Sequence, residues 1–421
     1  MRRVFTVSPA PSLTTEIDDQ NHRNKKNLTE DLFALNGLRQ ILGFQPPSLD
    51  STTEKVPTRF RWCRALVLVL LHLALARTIL ATGYQWFAGS TSKISRNTQN
   101  DFLTSLVATI TADILVRRQK PLDEFINFLN QSIAPALDVP QKVLITKKLR
   151  YITIMCKASI LISVIGACVI SILLVPLKTS LSESFFGMKV MPVPSFLLYT
   201  LVCIDYSLDI FVKWGVMSGT VALYISFCTI LKTAVDSWNQ KARDVGESVQ
   251  RGVRSLNYLK TLKILRRDHC NFENAVSQLD SIFSPHVFVW VSHFVIASLV
   301  QMTICLVYTI SNDAIIQLLL ESFILDAFPT IFFLSITFYA AGLSGASGES
   351  FQHIRAMVNE ENNCTDDINK DLEIHSLFLD LMASKMNLTA WNFFSLDKPL
   401  LLSVGGALFT YGVVVAQLNP V

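Results

Sequence analysis

The chain has 421 residues, of which 50% are hydrophobic, with a mean hydropathy of +0.39 and a formal net charge of +4. So apolar a composition at this length excludes an ordinary water-soluble protein and indicates a polytopic membrane protein whose main partner is the lipid bilayer. The eight cysteines include no C-x-x-C pair, and five of them lie in apolar stretches, where cysteine behaves as a small hydrophobic residue. We therefore expect no metal site, no cofactor, no disulfide framework and no nucleic-acid partner.

The chain begins with a polar segment rather than with a signal peptide. Residues 1–30 contain no apolar core of the length that a secretion signal needs, and their composition predicts disorder. We assign residues 1–64 to an N-terminal segment that precedes the membrane. Residues 65–421 are assigned to one transmembrane domain.

Seven apolar stretches within that domain are candidates for membrane-spanning helices. The second is short and weakly apolar, whereas the fourth, at about 36 residues or about 54 Å, is longer than a bilayer core and must tilt or project beyond it. The predicted fold is therefore all-α with seven transmembrane helices. Their approximate bounds are 65–87, 101–116, 151–175, 196–231, 286–311, 322–345 and 399–418.

Lysine and arginine are divided very unequally between the two sides of these helices. One side holds residues 1–64, 117–150, 232–285 and 346–398, which together carry 30 Lys and Arg residues. The opposite side carries four. Because short cytoplasmic loops are enriched in Lys and Arg, the N-terminus is predicted to be cytoplasmic. An odd number of spans then places the C-terminus outside the cell.

The long segments on the cytoplasmic side carry apolar residues at helical spacing. One such series follows residue 364 with steps of four and three, a coiled-coil-like seam. The pattern indicates helices that continue the membrane helices into the cytoplasm, and it also fits ordinary packing within one subunit. The residues of that series are Ile368, Leu372, His375, Leu379, Met382 and Met386.

Three charged residues lie four positions apart in the fourth stretch, so Asp205, Asp209 and Lys213 share one face of a helix. Charge inside a membrane is costly and usually faces protein or water. One interpretation is an ion pair between residues one turn apart. The other is the polar lining of a ligand pocket.

The last apolar stretch carries polar residues near the end of the chain. Thr410 and Gln417 lie seven residues apart and share a helix face, with Val414 between them and Leu418 one turn beyond Val414. A glutamine in lipid needs a polar partner or water. It can reach the membrane edge, bond a neighbouring helix, or line an aqueous pore.

The C-terminal residues resemble a known signature. Thr410-Tyr411, five residues, Gln417 and an apolar residue are similar to the TY-x5-QF ending of insect-type gustatory receptors. Asn392 stands where that family usually has Gly in its TA-x-G-x-F-x-L-D-x-x-LL run. Leu418 replaces its usual Phe, as in the related odorant co-receptor. The residues that match the run are Thr389, Ala390, Phe393, Phe394, Leu396, Asp397, Leu400 and Leu401.

This resemblance implies an arthropod gustatory receptor in the plasma membrane of a sensory neuron dendrite. Such a protein would be a homotetramer, or a heterotetramer with related receptors, that opens as a non-selective cation channel when a small-molecule tastant binds. It would have a cytoplasmic anchor domain where the four subunits meet, a pore lined by the seventh helices, and no catalytic activity. The implied pore and gate residues are Thr410, Tyr411, Val414, Gln417 and Leu418. The ligand-pocket candidates are Asp205, Asp209 and Lys213.

Two other classes of protein also cross the membrane several times, G-protein-coupled receptors and secondary transporters. A G-protein-coupled receptor would have its N-terminus outside and would carry D/E-R-Y and N-P-x-x-Y motifs, which the corresponding helices here lack. A secondary transporter would show an internal repeat and paired broken helices. The sixth stretch alone has an interior proline, Pro329.

Overall fold

A computed structural model gives the fold of the chain. The N-terminal segment that the sequence predicts to be disordered lies outside the residues that the structure describes. The described residues are 58–87, 94–174, 195–250, 258–308, 312–361, 375–380, 382 and 386–418.

Within these residues the protein is almost entirely helical, which confirms the predicted all-α fold. A π-helical turn (Leu129–Ile133) and a 3-10 turn (Ala134–Ala136) join α3 to α4, and two short strands, β1 (Thr389–Ala390) and β2 (Phe394–Ser395), precede α8. The helices are α1 (Thr58–Phe87), α2 (Ile94–Arg117), α3 (Gln119–Phe128), α4 (Val139–Leu174), α5 (Ser195–Gln250), α6 (Tyr258–Tyr308), α7 (Asn312–Glu361) and α8 (Lys398–Leu418).

Six of the helices in the described part are long and apolar enough to cross a membrane, namely α1, α4, α5, α6, α7 and α8. The helix α2, which contains the short second stretch, is less apolar because its first two turns are polar. It nevertheless packs against α1, α5 and α6. Two of its hydroxyl groups are satisfied within the helix, since the Ser105 and Thr109 hydroxyls donate to carbonyls one turn earlier, at 2.7 Å each. It is the seventh long helix of the bundle.

Three helices are far longer than a bilayer is thick. Helices α5, α6 and α7 have 56, 51 and 50 residues, or about 75–85 Å at 1.5 Å per residue. Their extra turns pack together: the Trp238 indole donates to the Leu265 carbonyl at 2.8 Å, and the Asn239 amide donates to the Ala346 carbonyl at 2.9 Å. These three helices are therefore long enough to continue beyond the membrane bundle. Of the apolar series predicted after residue 364, Ile368 and Leu372 lie outside the described residues.

Helix α5 lies at the centre of the bundle and α8 at its edge. In the most apolar stretch of α5, 100% of the residues are buried, whereas in that of α8 only 6% are buried. Aromatic rings fill the centre. The ring centroid of Phe227 on α5 lies 5.1 Å from that of Phe125 on α3 and 6.0 Å from that of Phe283 on α6. Burying such rings supplies much of the packing energy of the bundle.

A small hairpin holds the start of α8 against α6. The strands β1 and β2 are antiparallel, and the Asp280 carboxylate accepts from the Thr389 backbone N–H at 2.5 Å and from its hydroxyl at 2.8 Å. The turn residues Trp391 and Asn392 have φ of 48° and 60°. Asp397 then caps α8 by accepting from the Leu400 N–H at 3.1 Å. The hairpin thus fixes where α8 begins.

Candidate functional site

Helices α1, α2 and α5 bring five charged side chains into one network. The buried Lys213 ammonium donates to Asp209 at 2.5 Å and to Asp101 at 2.6 Å. The Arg77 guanidinium donates to Asp209 at 3.1 Å and also to Asp205. Each buried charge therefore has a partner, which offsets the large cost of removing it from water. With all groups ionised, the two cations and three carboxylates leave one net negative charge.

The network closes one end of a cavity of about 180 Å³ between α1 and α5. Arg77, Asp205 and Asp209 line its polar end, and its other walls are aliphatic. Leu73 and Leu208 at its rim are exposed, so the cavity opens away from the helix bundle. A mostly apolar pocket with a few converging polar groups is the usual form of a small-molecule site.

The structure brings together the three residues that the sequence grouped and adds two more. The ion pair expected between residues one turn apart is present between Asp209 and Lys213. Asp205 and Asp209 also line the cavity, whereas Lys213 lies behind them. The sequence alone could have pointed to Arg77 as a member of this network, because a single arginine in a spanning helix requires a counter-charge. The sequence does not single out Asp101 in this way, because Asp101 lies in the polar first half of α2, where a charged residue is ordinary.

Helix α8 has a packed side and an open side. Its packed side faces α6 and α7; Val415 is buried there, and a Cβ added at Gly412 would lie 3.7 Å from the Met302 sulfur. Thr410, Val414 and Gln417 are exposed on other parts of the helix surface. These three pore candidates thus have little or no cover from their own subunit.

The two remaining pore candidates occupy different positions. The Tyr411 hydroxyl lies 3.0 Å from the Thr303 hydroxyl, so its side chain is turned towards α6. Leu418 ends α8, and its side chain lies outside the described part of the structure.

Two histidines of α6, His286 and His293, are buried, and His286 lies among aromatic rings. The His286 ring lies 5.5 Å from the Phe283 ring and 5.7 Å from the Trp290 ring. Among the described residues, no group of three or more His, Cys, Asp or Glu side chains is arranged to hold a metal ion. In this structure His286 is part of the aromatic packing between α5 and α6.

Comparison with known proteins relates this architecture to one family. The chain is similar to the structure of the insect olfactory receptor OR5 from Machilis hrabei, with 12% identity and a TM-score of 0.68 over 96% of this chain and 99% of that chain. The same receptor in complex with eugenol gives 12% identity and a TM-score of 0.62 over 91% of this chain and 98% of that chain. No curated protein is similar enough in sequence to count as a match.

At this low identity the structural likeness shows the fold alone, which is that of the OR5 structure. The sequence supplies the family independently, because a profile described as 7tm chemosensory receptor matches residues 32–419. That match covers all of the described residues, including the C-terminal signature. The chain therefore belongs to the 7tm chemosensory receptor family.

Proposed function

We propose that this chain is a gustatory receptor subunit that acts as a tastant-gated, non-selective cation channel with its pore lined by α8. The observation that carries the proposal is the open side of α8. Only 6% of the most apolar stretch of α8 is buried in its own subunit. The exposed surface of α8 nevertheless carries two polar residues, Thr410 and Gln417. Lipid cannot satisfy a glutamine amide, whereas water in a pore or a second copy of the helix can.

The proposed assembly is a tetramer, either of this chain alone or with related receptors. Four α8 helices around one axis would place rings of Val414 and Leu418 one turn apart, with a ring of Gln417 between them. Narrow apolar rings stop ions by excluding water, and polar rings bias which ions pass. Thr410 would extend the polar lining, while Tyr411 would hold the helix against α6.

The proposed topology places the N-terminus in the cytoplasm and the C-terminus outside. The excess of Lys and Arg on the N-terminal side supports this orientation. Because successive helices alternate in direction, the projecting ends of α5, α6 and α7 then lie in the cytoplasm, where they would form the anchor domain between subunits. A multi-pass protein of this kind would act in the plasma membrane of a sensory neuron.

The proposed ligand site is the cavity between α1 and α5 that Asp205 and Asp209 line, with Lys213 holding Asp209 behind it. Support comes from its mixed polar and apolar lining and from its position in the half of the bundle that the proposed topology places towards the outside. The structural relative OR5 has been determined with a bound small molecule, eugenol.

Current recording tests the proposal directly. The chain would be expressed in oocytes or a cell line, its surface level measured, and a panel of sugars, bitter compounds and amines applied under voltage clamp. We expect a ligand-evoked current carried by both Na⁺ and K⁺, with a reversal potential near 0 mV in physiological solutions. A G-protein-dependent calcium signal without any such current would contradict the channel proposal.

A further inference from the structure

We propose that the cavity between α1 and α5 binds a small organic ammonium ion with an apolar body, and that Asp205 receives its N–H groups. This inference rests on the proposed function, because it names the ligand class for the pocket assigned there. It adds a charge sign and an orientation, which follow from how the five charged side chains share their partners.

Each of the two cations of the network pairs with two carboxylates. Lys213 is buried and bonds Asp209 and Asp101, while Arg77 bonds Asp209 and Asp205. Asp209 accepts from both cations through the same oxygen, Oδ2, and its side chain is only 6% exposed. The protein therefore presents no unengaged cation to the cavity from within this network.

The accessible negative charge lies on Asp205. Its side chain is 43% exposed and lines the cavity, and its described bond to Arg77 uses only one carboxylate oxygen, Oδ2. Asp101 is also partly exposed, but it does not line the cavity. With all five groups ionised one negative charge remains in the network, so an entering cation would be attracted and an anion repelled. In this poorly solvated setting either effect is stronger than in water.

The size and walls of the cavity define the rest of the ligand. A volume of about 180 Å³ corresponds to about six water molecules at their liquid volume, so a single small ring with a short arm fits. Leu70, Ala74, Leu208 and Val212 offer aliphatic surface for that ring. The polar end would hold the ammonium group, and the exposed rim would admit the molecule from the membrane side.

Direct binding to the full chain tests this assignment. The chain is reconstituted in nanodiscs of phosphatidylglycerol, a lipid without an ammonium group, and binding of 2-phenylethylamine is compared with that of its neutral counterpart 2-phenylethanol. We expect the amine to bind with a Kd at least about tenfold lower, the effect of one charge-assisted hydrogen bond. Asp205→Asn should abolish this difference, and Asp205→Glu should retain most of it.

Asp236→Asn is a matched control on the same helix. Asp236 pairs with Lys232 at 2.6 Å and has a side chain 44% exposed, so the substitution removes the same charge from an equally exposed ion pair away from the cavity. It should leave the preference for the amine unchanged. Equal binding of amine and alcohol to the unmodified chain, or a preference that persists in Asp205→Asn, would overturn the proposal.

A second lipid distinguishes the source of the ammonium group. If the primary ammonium of lipid ethanolamine occupies the cavity, nanodiscs of phosphatidylglycerol mixed with phosphatidylethanolamine should weaken amine binding about tenfold or more relative to phosphatidylglycerol mixed with the same share of phosphatidylcholine, which has no N–H, and equal affinity would identify the soluble amine as the ligand. Both results keep the ammonium assignment. The binding measurement does not depend on current. If the chain prefers the amine but conducts no ions, only the channel proposal is contradicted and the ammonium site stands. Currents evoked by other ligands, without any amine preference, would contradict only this site.

Discussion

The hydroxyl groups of Tyr411 on α8 and Thr303 on α6 lie 3.0 Å apart, so a side-chain hydrogen bond joins the proposed pore helix to the bundle. Next to that bond the two helices are closely packed, since a Cβ added at Gly412 would lie 3.7 Å from the Met302 sulfur. A movement of α8 during opening would have to stretch or break that bond. Tyr411 therefore links the packed side of α8 to the bundle while the opposite side stays open.

The first prediction concerns this bond. Tyr411→Phe and Thr303→Val should each shift the midpoint of the ligand dose–response curve by about two- to tenfold, because a net hydrogen bond contributes about 0.5–1.5 kcal/mol. The double variant should shift it no further than the larger single effect. The measurement is the current at graded ligand concentration with surface expression matched. Strictly additive shifts would mean that the two hydroxyls act independently.

The second prediction concerns the proposed gate. Val414→Ser or Leu418→Ala should raise the basal current, because a wider or more polar ring admits water more readily. Gln417→Leu should change the relative permeability to Na⁺, K⁺ and Ca²⁺. Basal current and reversal potentials are the measurements.

A matched control for Leu418→Ala exists on the same helix. Leu402 is 80% exposed near the opposite end of α8, so Leu402→Ala makes the same truncation away from the gate. Its basal current should equal that of the unmodified chain. If every one of the gate variants also behaves like the unmodified chain at matched surface level, the pore is not formed by this end of α8.

The third prediction concerns the buried lysine. Lys213→Met keeps an unbranched side chain one atom shorter but leaves Asp101 and Asp209 without their shared cation. Breaking a buried ion pair in this way costs about 3–5 kcal/mol. We expect a clear drop in surface expression and in the thermal midpoint of the detergent-purified protein. Lys232→Met, which breaks the half-exposed pair with Asp236 on the same helix, should cost about 0–1 kcal/mol. Similar losses in the two variants would argue against the buried network.

The fourth prediction concerns topology. The four N-glycosylation sequons begin at Asn27, Asn130, Asn363 and Asn387, all on the predicted cytoplasmic side. None should be modified in a eukaryotic cell, so glycosidase treatment should leave the mass of the chain unchanged.

A positive control for topology is available in the predicted outer loop between the third and fourth stretches. Ser182→Asn creates a sequon with Ser184, and it should give a glycosidase-sensitive increase in mass. A shift in the unmodified chain that Asn27→Gln removes would reverse the proposed orientation.

The fifth prediction concerns the hairpin turn. Asn392 has φ of 60°, a conformation that asparagine and glycine tolerate and β-branched residues avoid. Asn392→Gly should therefore preserve thermal stability and surface expression. Asn392→Val should cost about 1–3 kcal/mol and lower both. An equal effect of the two substitutions would indicate that the loss of the side-chain contact with Thr389, rather than backbone strain, is decisive.

The same backbone angle explains a departure noted in the sequence. Asn392 stands where the gustatory receptor run usually has Gly, and the structure shows a positive φ at that position. Asparagine is among the residues most often found there. The substitution is thus compatible with the same turn, and the neighbouring residues of the run anchor the hairpin to Asp280 and cap α8 through Asp397.

Much of the fold followed from the sequence because its signals are local. Hydropathy and length indicated the spanning helices, and the length of the fourth stretch required a helix that tilts or projects beyond the bilayer, as α5 does. Residues 410–418 carried the family resemblance within a single helix. Four-residue spacing placed Asp209 and Lys213 on one face, where they form an ion pair.

Other features were decided only by the packing of the chain. Arg77 meets Asp205 across 128 positions and Lys213 meets Asp101 across 112, contacts that no local pattern encodes. The sequence likewise placed Thr410, Tyr411 and Gln417 on α8 without showing which of them would be covered. Periodicity defines the faces of a helix, whereas the neighbouring helices determine which face is buried, which remains open and which charges share a cavity.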